Sequence, residues 1–488
     1  MALGEYQAAI RDIERARNHG YPKPKKLMER KDRCVGLSDK ERHRKEYCNI
    51  LPEIDFGPAN NFPCASSSIS LQFNNDKGRH FVAIQDIAVG SVIMVEAPYA
   101  AVLDTSCWNS HCYHCLSRLP SDCVPCRGCT EVLFCDELCS KAAQSYHVYE
   151  CSKIFTLKKL QNWLFDYRVI TVTGFSRISD IVAHSTNKCP EVYEALDYFN
   201  IYNLVGHDSP DCLEKAIMAV HLIKILKSCR FFPSVQYCGL HKIEVMDVCQ
   251  ECQIMVGGVL LRHMKNLQCN GYDVYERLDS GQTLNDSSYN KIGSAVHATL
   301  SLINHSCQPN VMRLSYKNTG VIRAIRNIKK GEDIVGCYGG DFTKQSKKER
   351  QDYLLKNYFF QCKCVPCTLN WPTYKELCQA FMNDPEQVWL CCKCKKSFIV
   401  DAEDETYSCS CGHITNVQAI TVSMQKSFQK YTEAVHQVEN RVIKGVLQPM
   451  FHYLTAMEKL EPKPSIECIG IEQNIKLCFT LEGNYCRE

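Results

Sequence analysis

Soft metal ligands are concentrated in one short stretch of this 488-residue chain. They occur in four close pairs, with the spacings Cys-x2-Cys, Cys-x2-Cys, Cys-x3-Cys and His-x3-Cys: Cys112, Cys115, Cys126, Cys129, Cys135, Cys139, His147 and Cys151. Because each Zn²⁺ takes four thiolate or imidazole ligands, these eight residues predict two tetrahedral zinc sites without an open catalytic position. Cys123 offers an alternative pairing with Cys126, but the spacing of the other pairs fits the first set better.

A second cluster supplies three thiolates, Cys362, Cys364 and Cys367, and has no fourth ligand nearby. A distant ligand is therefore required, and Cys307 in LINHSCQPN is a candidate. A zinc site closed between distant segments would clamp the chain over whatever lies between them.

A third group is ambiguous. Cys391 or Cys392, with Cys394, Cys409 and Cys411, could form a zinc ribbon, although the Cys-x-Cys spacing is less common there. Unliganded thiols are the alternative interpretation, and both remain open.

The 33 cysteines would suggest disulfides in a secreted protein. The amino-terminal residues lack the apolar core of a signal peptide, and no uninterrupted apolar run of about 18 residues occurs. We therefore expect a soluble, intracellular protein whose cysteines are metal ligands or free thiols. The net charge of +3 gives no overall basic field for nucleic acid or membrane surfaces.

Helical spacing in residues 5 to 50, interrupted by Gly20, Pro22 and Pro24, predicts a helix, a turn and a second helix. The run EYQAAIRDIERARNHGYP resembles the last unit of a tetratricopeptide array. Because such a unit cannot bury its apolar face alone, we expect a shortened form of a longer array. An unrelated helical hairpin is the alternative.

The rest of the chain mixes strands and helices. Strands are predicted in FVAIQDIAVGSVIMVEAPYAAVL, HATLSLINHS and NVMRLSYKNTGVIRAIRNI, from short β-branched runs between Gly and Pro. Residues 152–265 and the region from about 412 onward are predicted to be largely helical, with a proline break in EPKPS. The fold class is therefore α+β.

Two strings, SLINHSCQPN and the later GEDIVGCYGGDF, resemble the signature motifs of the SET methyltransferase domain. The strings CYHC, CRGC, VLFCDELC and YHVYEC resemble a MYND zinc finger. A finger inserted after the first SET strands is the arrangement of the SMYD family. In that family the ligands interleave, which implies that Cys112, Cys115, Cys135 and Cys139 share one zinc. Cys126, Cys129, His147 and Cys151 would share the other.

The resemblance implies a protein-lysine N-methyltransferase that uses S-adenosyl-L-methionine and acts on a histone or another protein. It implies a mainly β SET core with a MYND insertion, a post-SET zinc clamp and helical, tetratricopeptide-like ends. The expected units are a partial helical hairpin at 1–50, a split SET domain at 64–111 and 152–342, the finger at 112–151, the post-SET segment at 343–370, and a possible ribbon with carboxy-terminal helices at 371–488. That last helical bundle looks short.

The resemblance also assigns site residues. Tyr338 is expected both to orient the substrate amine and to contact the cofactor. The other expected cofactor contacts are Lys77, Gly78, Arg79, Tyr202, His207, Asn270, Asn304, His305 and Phe360. Phe360 would stack on the adenine. One departure stands out, since His80 replaces the second glycine of the usual Gly-x-Gly loop and puts a Cβ where the backbone approaches the cofactor.

The expected partners are a protein substrate and peptides, often proline-containing, that bind the MYND finger. No membrane partner is expected, and nucleic acid is not the main partner. The family works in the nucleus and the cytoplasm. The alternative is a non-catalytic adaptor or transcriptional co-regulator, in which the finger binds partners and the SET fold serves as a scaffold.

Overall fold

The computed structural model describes residues 6–18, 20–45, 50–184, 201–202, 204, 206, 211–233, 249–279, 288–383, 386–401 and 404–487. None of its helices is both long enough and apolar enough to cross a membrane within these residues. The α-helices are α1 (Tyr6–Asn18), α2 (Pro24–Lys45), α3 (Glu137–His147), α4 (Ile154–Lys159), α5 (Gln161–Thr173), α6 (Phe175–His184), α7 (Cys212–Ser228), α8 (Gln250–Asn270), α9 (Lys347–Tyr358), α10 (Val365–Thr368), α11 (Tyr374–Asn383), α12 (Val417–Glu439), α13 (Leu447–Leu460) and α14 (Ile466–Glu482).

Strands fill most of the intervals between these helices. They are β1 (Pro58–Ala59), β2 (Phe62–Ser66), β3 (Ile69–Asn74), β4 (Gly78–Ala83), β5 (Val92–Glu96), β6 (Ala100–Leu103), β7 (Val124–Pro125), β8 (Leu133–Phe134), β9 (Gly271–Asp279), β10 (Ser288–Val296), β11 (Asn304–His305), β12 (Val311–Tyr316), β13 (Thr319–Ala324), β14 (Val335–Gly336), β15 (Val388–Leu390), β16 (Ser397–Ile399), β17 (Thr406–Ser408), β18 (Ile414–Asn416) and β19 (Tyr485–Arg487).

Two sheets form the β core. A five-stranded sheet has the order β1-β2-β5-β13-β12, and a four-stranded sheet has the order β19-β9-β10-β6. Strand β13 is buried at four of its six positions and β12 at three of six, and their buried residues are divided between two apolar clusters. The hairpin β3–β4 and the short parallel pair β11–β14 lie beside these sheets.

The buried apolar side chains form separate clusters around these sheets. The largest includes β6, the cysteine-rich segment and helices α5, α7 and α8. A second packs β12 and β13 against α12, α13 and α14. A third lies between the five-stranded sheet and residues 300–303. The segments that carry the candidate site residues are therefore each backed by a core.

Several helix ends follow directly from the sequence. Ser346 and Glu349 form a reciprocal capping box at the start of α9, and Asp136 accepts from the Cys139 amide at the start of α3. Phe359, at φ 62°, ends α9 in the left-handed conformation. These caps fix where the cysteine-bearing segments leave the helices.

The structure contains the predicted amino-terminal helix pair and the predicted strands β4, β5, β6, β12 and β13. The strand predicted for HATLSLINHS is wrong over most of its length. Residues 300–302 form a 3₁₀ turn, and only Asn304 and His305 are extended. The Glu96 carboxylate accepts from the Thr299 and Leu300 amides and thereby holds the turn. Strands β9, β10 and β19 were not predicted.

Candidate functional site

The parallel pair β11–β14 brings the two SET-like motifs together. Asn304 lies opposite Val335, and His305 lies opposite Gly336. The Tyr338 amide donates to Nδ1 of His305 at 3.0 Å. Burial lowers the pKa of His305 to about 4, so a neutral imidazole can accept this bond. The first motif thus positions the backbone that carries Tyr338.

Asn310 holds the same junction and was not singled out from the sequence. Its Oδ1 accepts from the Val335 amide at 2.9 Å, and its Nδ2 donates to the Asp333 carbonyl at 2.8 Å. The side chain is buried, with 2% exposure. The signal was present, since Asn310 closes the string NHSCQPN, and an amide can satisfy one donor and one acceptor of an adjacent strand.

The expected cofactor loop Lys77–Arg79 comprises the last residue of the turn after β3 and the first two residues of β4. Oδ1 of Asn74 accepts from the Lys77 amide at 2.7 Å, and Gly78 has a φ of +64°. Nδ2 of Asn304 donates to the Lys77 carbonyl at 2.9 Å. The loop and the NHS motif are therefore in direct contact. A Cβ built on Gly78 meets no heavy atom within 4 Å, so there is open space beside this backbone.

His80, on β4, makes its polar contacts with neighbouring protein groups. Its side chain is buried, Nδ1 lies 2.9 Å from the Gly78 carbonyl oxygen, and Nε2 lies 4.0 Å from a carboxylate oxygen of Asp333. Lys77 also pairs with Asp333. The imidazole of His80 thus bridges the loop and the segment before β14. The histidine that replaces the second glycine therefore has a structural role.

Phe360 lies on the other side of His305. The two ring centroids are 6.1 Å apart, and the His305 and Tyr338 centroids are 5.3 Å apart. Nε2 of His305 is 3.4 Å from the sulphur of Cys307. Asn304, His305, Tyr338 and Phe360 therefore form one neighbourhood, adjoining the second cysteine cluster.

The remaining expected cofactor contacts are placed along α8. Asn270, its last residue, donates from Nδ2 to the Asn266 carbonyl, and its own carbonyl accepts from Ser301 at 3.4 Å. Tyr202 accepts a bond from Arg262 through its carbonyl, and the guanidinium lies 4.2 Å from its ring centroid. Asn270 thus adjoins the turn before the NHS motif, whereas Tyr202 lies two helical turns away. His207 lies outside the described residues.

Tyr338 lines a cleft of about 790 Å³. Its hydroxyl donates to the Ile303 carbonyl at 2.7 Å, and its ring centroid is 4.9 Å from that of Tyr358. The Tyr272 hydroxyl donates to the Leu300 carbonyl at 3.2 Å. Burial raises the pKa of Tyr338 well above its usual value, so the phenol stays protonated. Tyrosine rings, phenol oxygens and backbone carbonyls therefore lie together in the lining of this cleft.

Both ligand sets expected in the finger converge. Within each set, all four ligand atoms lie within 4.8 Å of one another. The Cys115–Cys135 and Cys126–Cys151 sulphur distances are 3.7 Å. Tetrahedral zinc with Zn–S bonds of about 2.3 Å places its sulphurs about 3.8 Å apart. The two sites fit zinc in the interleaved pairing.

Glu150 contacts the histidine of one of these ligand sets and was not singled out from the sequence. The carboxylate is fully buried and lies 3.3 Å from Nδ1 of His147, whose Nε2 is 3.6 Å from the Cys129 sulphur. A carboxylate on the distal nitrogen orients an imidazole toward a metal and increases its basicity. Its position three residues after the histidine was a usable signal.

The post-SET cluster is completed by the distant ligand that the sequence required. The sulphurs of Cys307, Cys362, Cys364 and Cys367 lie within 4.8 Å of one another. The buried Arg350 directs Nη2 at the Cys367 sulphur, 3.7 Å away. A zinc with four thiolates carries net negative charge, and a guanidinium beside it offsets that charge. This cluster connects the NHS motif to the end of α9 and to Phe360.

Comparison with known proteins gives consistent matches. A model of the SET domain family matches residues 78–339, more than half of the chain. Protein-lysine N-methyltransferase SMYD4 of Danio rerio is 27% identical over 89% of this chain and 67% of that protein. N-lysine methyltransferase SMYD2 of Homo sapiens is 24% identical over 60% of this chain and 58% of that protein.

Among solved structures, the SET domain of LSMT bound to lysine and AdoHcy matches with 13% identity and a TM-score of 0.27, over 67% of this chain and 57% of that chain. The chain spans between 58% and 67% of the length of the two curated relatives above.

Proposed function

Because the chain belongs to the SET domain family, we propose that it transfers a methyl group from S-adenosyl-L-methionine to a lysine side chain of a protein. The observation that carries the proposal is the β11–β14 pair, which holds the Asn304 side-chain amide against the Lys77 carbonyl and Tyr338 in the lining of the cleft. A non-catalytic protein that used the SET fold only as a scaffold would not need these two contacts where an open loop meets a cleft.

The residues around β11 suit the cofactor. An ammonium and a carboxylate need backbone carbonyls, an amide and open space beside a glycine, which Asn304, Lys77 and Gly78 offer. Phe360 and His305 offer aromatic surface for an adenine. When bound, the cofactor would supply a methyl group carried on a sulfonium sulphur. The S–C bond to that methyl group breaks as the lysine nitrogen gains the new N–C bond, and the sulphur departs as a neutral thioether.

The chain's own contribution is alignment and exclusion of water. Lysine attacks only as the neutral amine, so a proton must leave it first. A protonated phenol at Tyr338, fixed on the Ile303 carbonyl, presents its oxygen lone pair to an N–H of the incoming amine. The rings of Tyr358 and Tyr272 restrict the remaining directions. Holding the amine in line with the methyl group accounts for most of the rate increase expected here.

A direct experiment uses the purified chain with radiolabelled S-adenosyl-L-methionine and an array of cell proteins, followed by mass spectrometry of the labelled lysines. Label on lysine that Tyr338→Phe abolishes supports the proposal. Cofactor binding by calorimetry without any transfer would instead favour an adaptor.

We also infer a peptide-binding role for the cysteine-rich finger, whose ligand pattern is that of a MYND domain. Leu138 on α3 and Val148 just after it are 78% and 60% exposed, so the finger presents two large apolar side chains to solvent. Proline-containing peptides are the expected partners, and loss of peptide binding in Leu138→Ser would support the inference.

By the same resemblance, α1 and α2 form a tetratricopeptide-like unit, and the chain acts in both nucleus and cytoplasm. Imaging of a tagged chain can test its location.

A further inference from the structure

Two short hairpins beyond the SET match carry cysteines in their turns. Cys391 and Cys394 lie between β15 and β16, and Cys409 and Cys411 lie between β17 and β18. Neither hairpin contributes to the cleft or to the cysteine groups that flank the NHS motif. Their cysteines have so far no role in the proposed reaction.

The four sulphurs converge across the two turns. All of them lie within 4.8 Å of one another, with Cys391 and Cys411 at 3.7 Å and Cys394 and Cys409 at 3.5 Å. Four thiolates around one zinc are expected about 3.8 Å apart. The spacing is therefore that of a metal site.

The two turns have a similar construction, although the second is one residue shorter. In the first, the Cys391 amide donates to the Lys396 carbonyl and the Lys395 amide donates to the Cys391 carbonyl, both at 2.9 Å. In the second, the Cys409 amide donates to the His413 carbonyl and the Gly412 amide donates to the Cys409 carbonyl, at the same length. Lys395 and Gly412 both have left-handed φ values, 61° and 78°. The similar geometry of the two turns indicates that both serve one function.

The hairpins have a very small core of their own. Its buried members are Trp389, Phe398 and Val417, with Tyr407 stacked on Phe398 at 3.8 Å. A unit of this size does not usually bury enough apolar surface to fold without a metal or a disulfide. A metal would supply the missing folding energy.

We propose that Cys391, Cys394, Cys409 and Cys411 bind one structural Zn²⁺, separate from the finger and the post-SET cluster. The alternative ligand Cys392 is exposed, and its sulphur lies 2.9 Å from Nε2 of His413 instead. The ribbon so formed packs through its apolar residues against Leu460 of α13 and Ile420 of α12. Its zinc therefore braces the carboxy-terminal helices.

The test is the zinc content of the full purified chain and its variants, measured by elemental analysis. The Cys394→Ser, Cys409→Ser double variant is expected to hold one zinc fewer than the parent. Cys392→Ser is the matched control, an adjacent cysteine outside the ligand set, and is expected to hold the same number as the parent. Equal zinc in the double variant and the parent would overturn the proposal, and so would loss of one zinc in Cys392→Ser.

A conservative variant covers the case in which the double variant does not fold. Cys411→His replaces one soft ligand with another and is expected to keep the full metal count. When cobalt replaces zinc, the thiolate-to-cobalt charge-transfer absorption of this variant should be lower than that of the parent by the contribution of one thiolate. An unchanged band would remove Cys411 from the site. Because the readout is the metal, the result does not depend on methyl transfer.

Discussion

Arg168 binds the carboxylate of Glu150 through two parallel bonds, Nε to Oε1 at 2.6 Å and Nη2 to Oε2 at 3.1 Å. Both side chains are buried, with 1% and 0% exposure. Nη1 of Arg168 also donates to the Ala101 carbonyl on β6 at 2.7 Å. A single ion pair thus links a proposed zinc ligand, His147, to a strand of the SET sheet.

Glu150→Gln should damage both sides of this link. It removes the charge that pairs with a buried guanidinium, and breaking such a pair costs about 3–5 kcal/mol of unfolding free energy. It also weakens the support of His147, so zinc retention against a chelator should fall about 10-fold or more. Denaturant unfolding and chelator titration measure the two effects.

The control for this variant is Glu131→Gln, which removes a partly exposed partner of Lys158 in the same finger. That change should cost less than about 1 kcal/mol. Equal effects of the two substitutions would contradict the special role assigned to Glu150.

Tyr338→Phe should slow transfer while leaving the fold nearly intact. The ring and its packing remain, and the loss of one hydrogen bond to the Ile303 carbonyl costs roughly 1 kcal/mol. Without the phenol oxygen the amine loses its alignment, and the single-turnover rate should fall on the order of 100-fold at saturating cofactor.

A matched control exists in Tyr167, whose hydroxyl donates to the Tyr149 carbonyl at the same 2.7 Å in the helical insert. Tyr167→Phe should lose similar stability and keep the parent rate. If both variants are equally slow, the effect is structural and Tyr338 has no part in alignment.

Cys364→Ser should weaken cofactor binding more than global folding. The post-SET cluster ties Phe360 and His305 together, whereas the sheets are held by their own cores. Three thiolates hold zinc much less tightly than four. Calorimetry should show a weaker Kd for S-adenosyl-L-methionine with little change in Tm. Cys378→Ser on α11 is the control, and an unchanged Kd in Cys364→Ser would remove the cluster from cofactor retention.

Glu96 should give the chain a pH-dependent stability. Burial raises the pKa of this carboxyl from its usual value near 4.5 to about 6, so the folded state holds a proton that the unfolded state has released. Stability therefore falls as pH rises from about 4.5 to about 6. Over that range the parent should lose about 2 kcal/mol relative to Glu96→Gln. Urea unfolding of both proteins at several pH values gives the difference, and a flat difference would disprove the assignment.

The sequence predicted the parts of the site that depend on spacing. The cysteine pairs required four-ligand groups, and the three-thiolate cluster required a distant fourth ligand, for which Cys307 lies in place. The resemblance to the SMYD family is confirmed by relatives named SMYD4 and SMYD2. Within that family, the tetratricopeptide-like start and the Gly78–His80 string resemble the SMYD4 member, which is the relative matched over 89% of this chain.

Other supporting contacts could not be predicted in the same way. Glu96 binds backbone amides more than 200 positions away, and the Arg168 that pairs with Glu150 lies on α5, so only the fold brings these groups together. Strand β9 was missed because GYDVYERLD has four charged residues and a single β-branched residue, Val274, and so lacks the β-branched run that marks a strand. Its pairing with β10 and β19 stabilises it instead.

The β6–β10 pairing, with Leu103 opposite Gly293, makes the order of folding depend on metal supply. The chain between these two strands includes the whole finger and its helices, and closing a loop of that length from a disordered chain costs on the order of 5 kcal/mol. If the finger folds around its metals first and α5, α7 and α8 then pack into the core they share with it, much of this loop is compact before closure, and the two strands meet at a smaller entropic cost. Zinc shortage during synthesis would then delay the closure of a sheet that itself contains no metal ligand, and would leave the edges of β6 and β10 exposed to pairing with other chains.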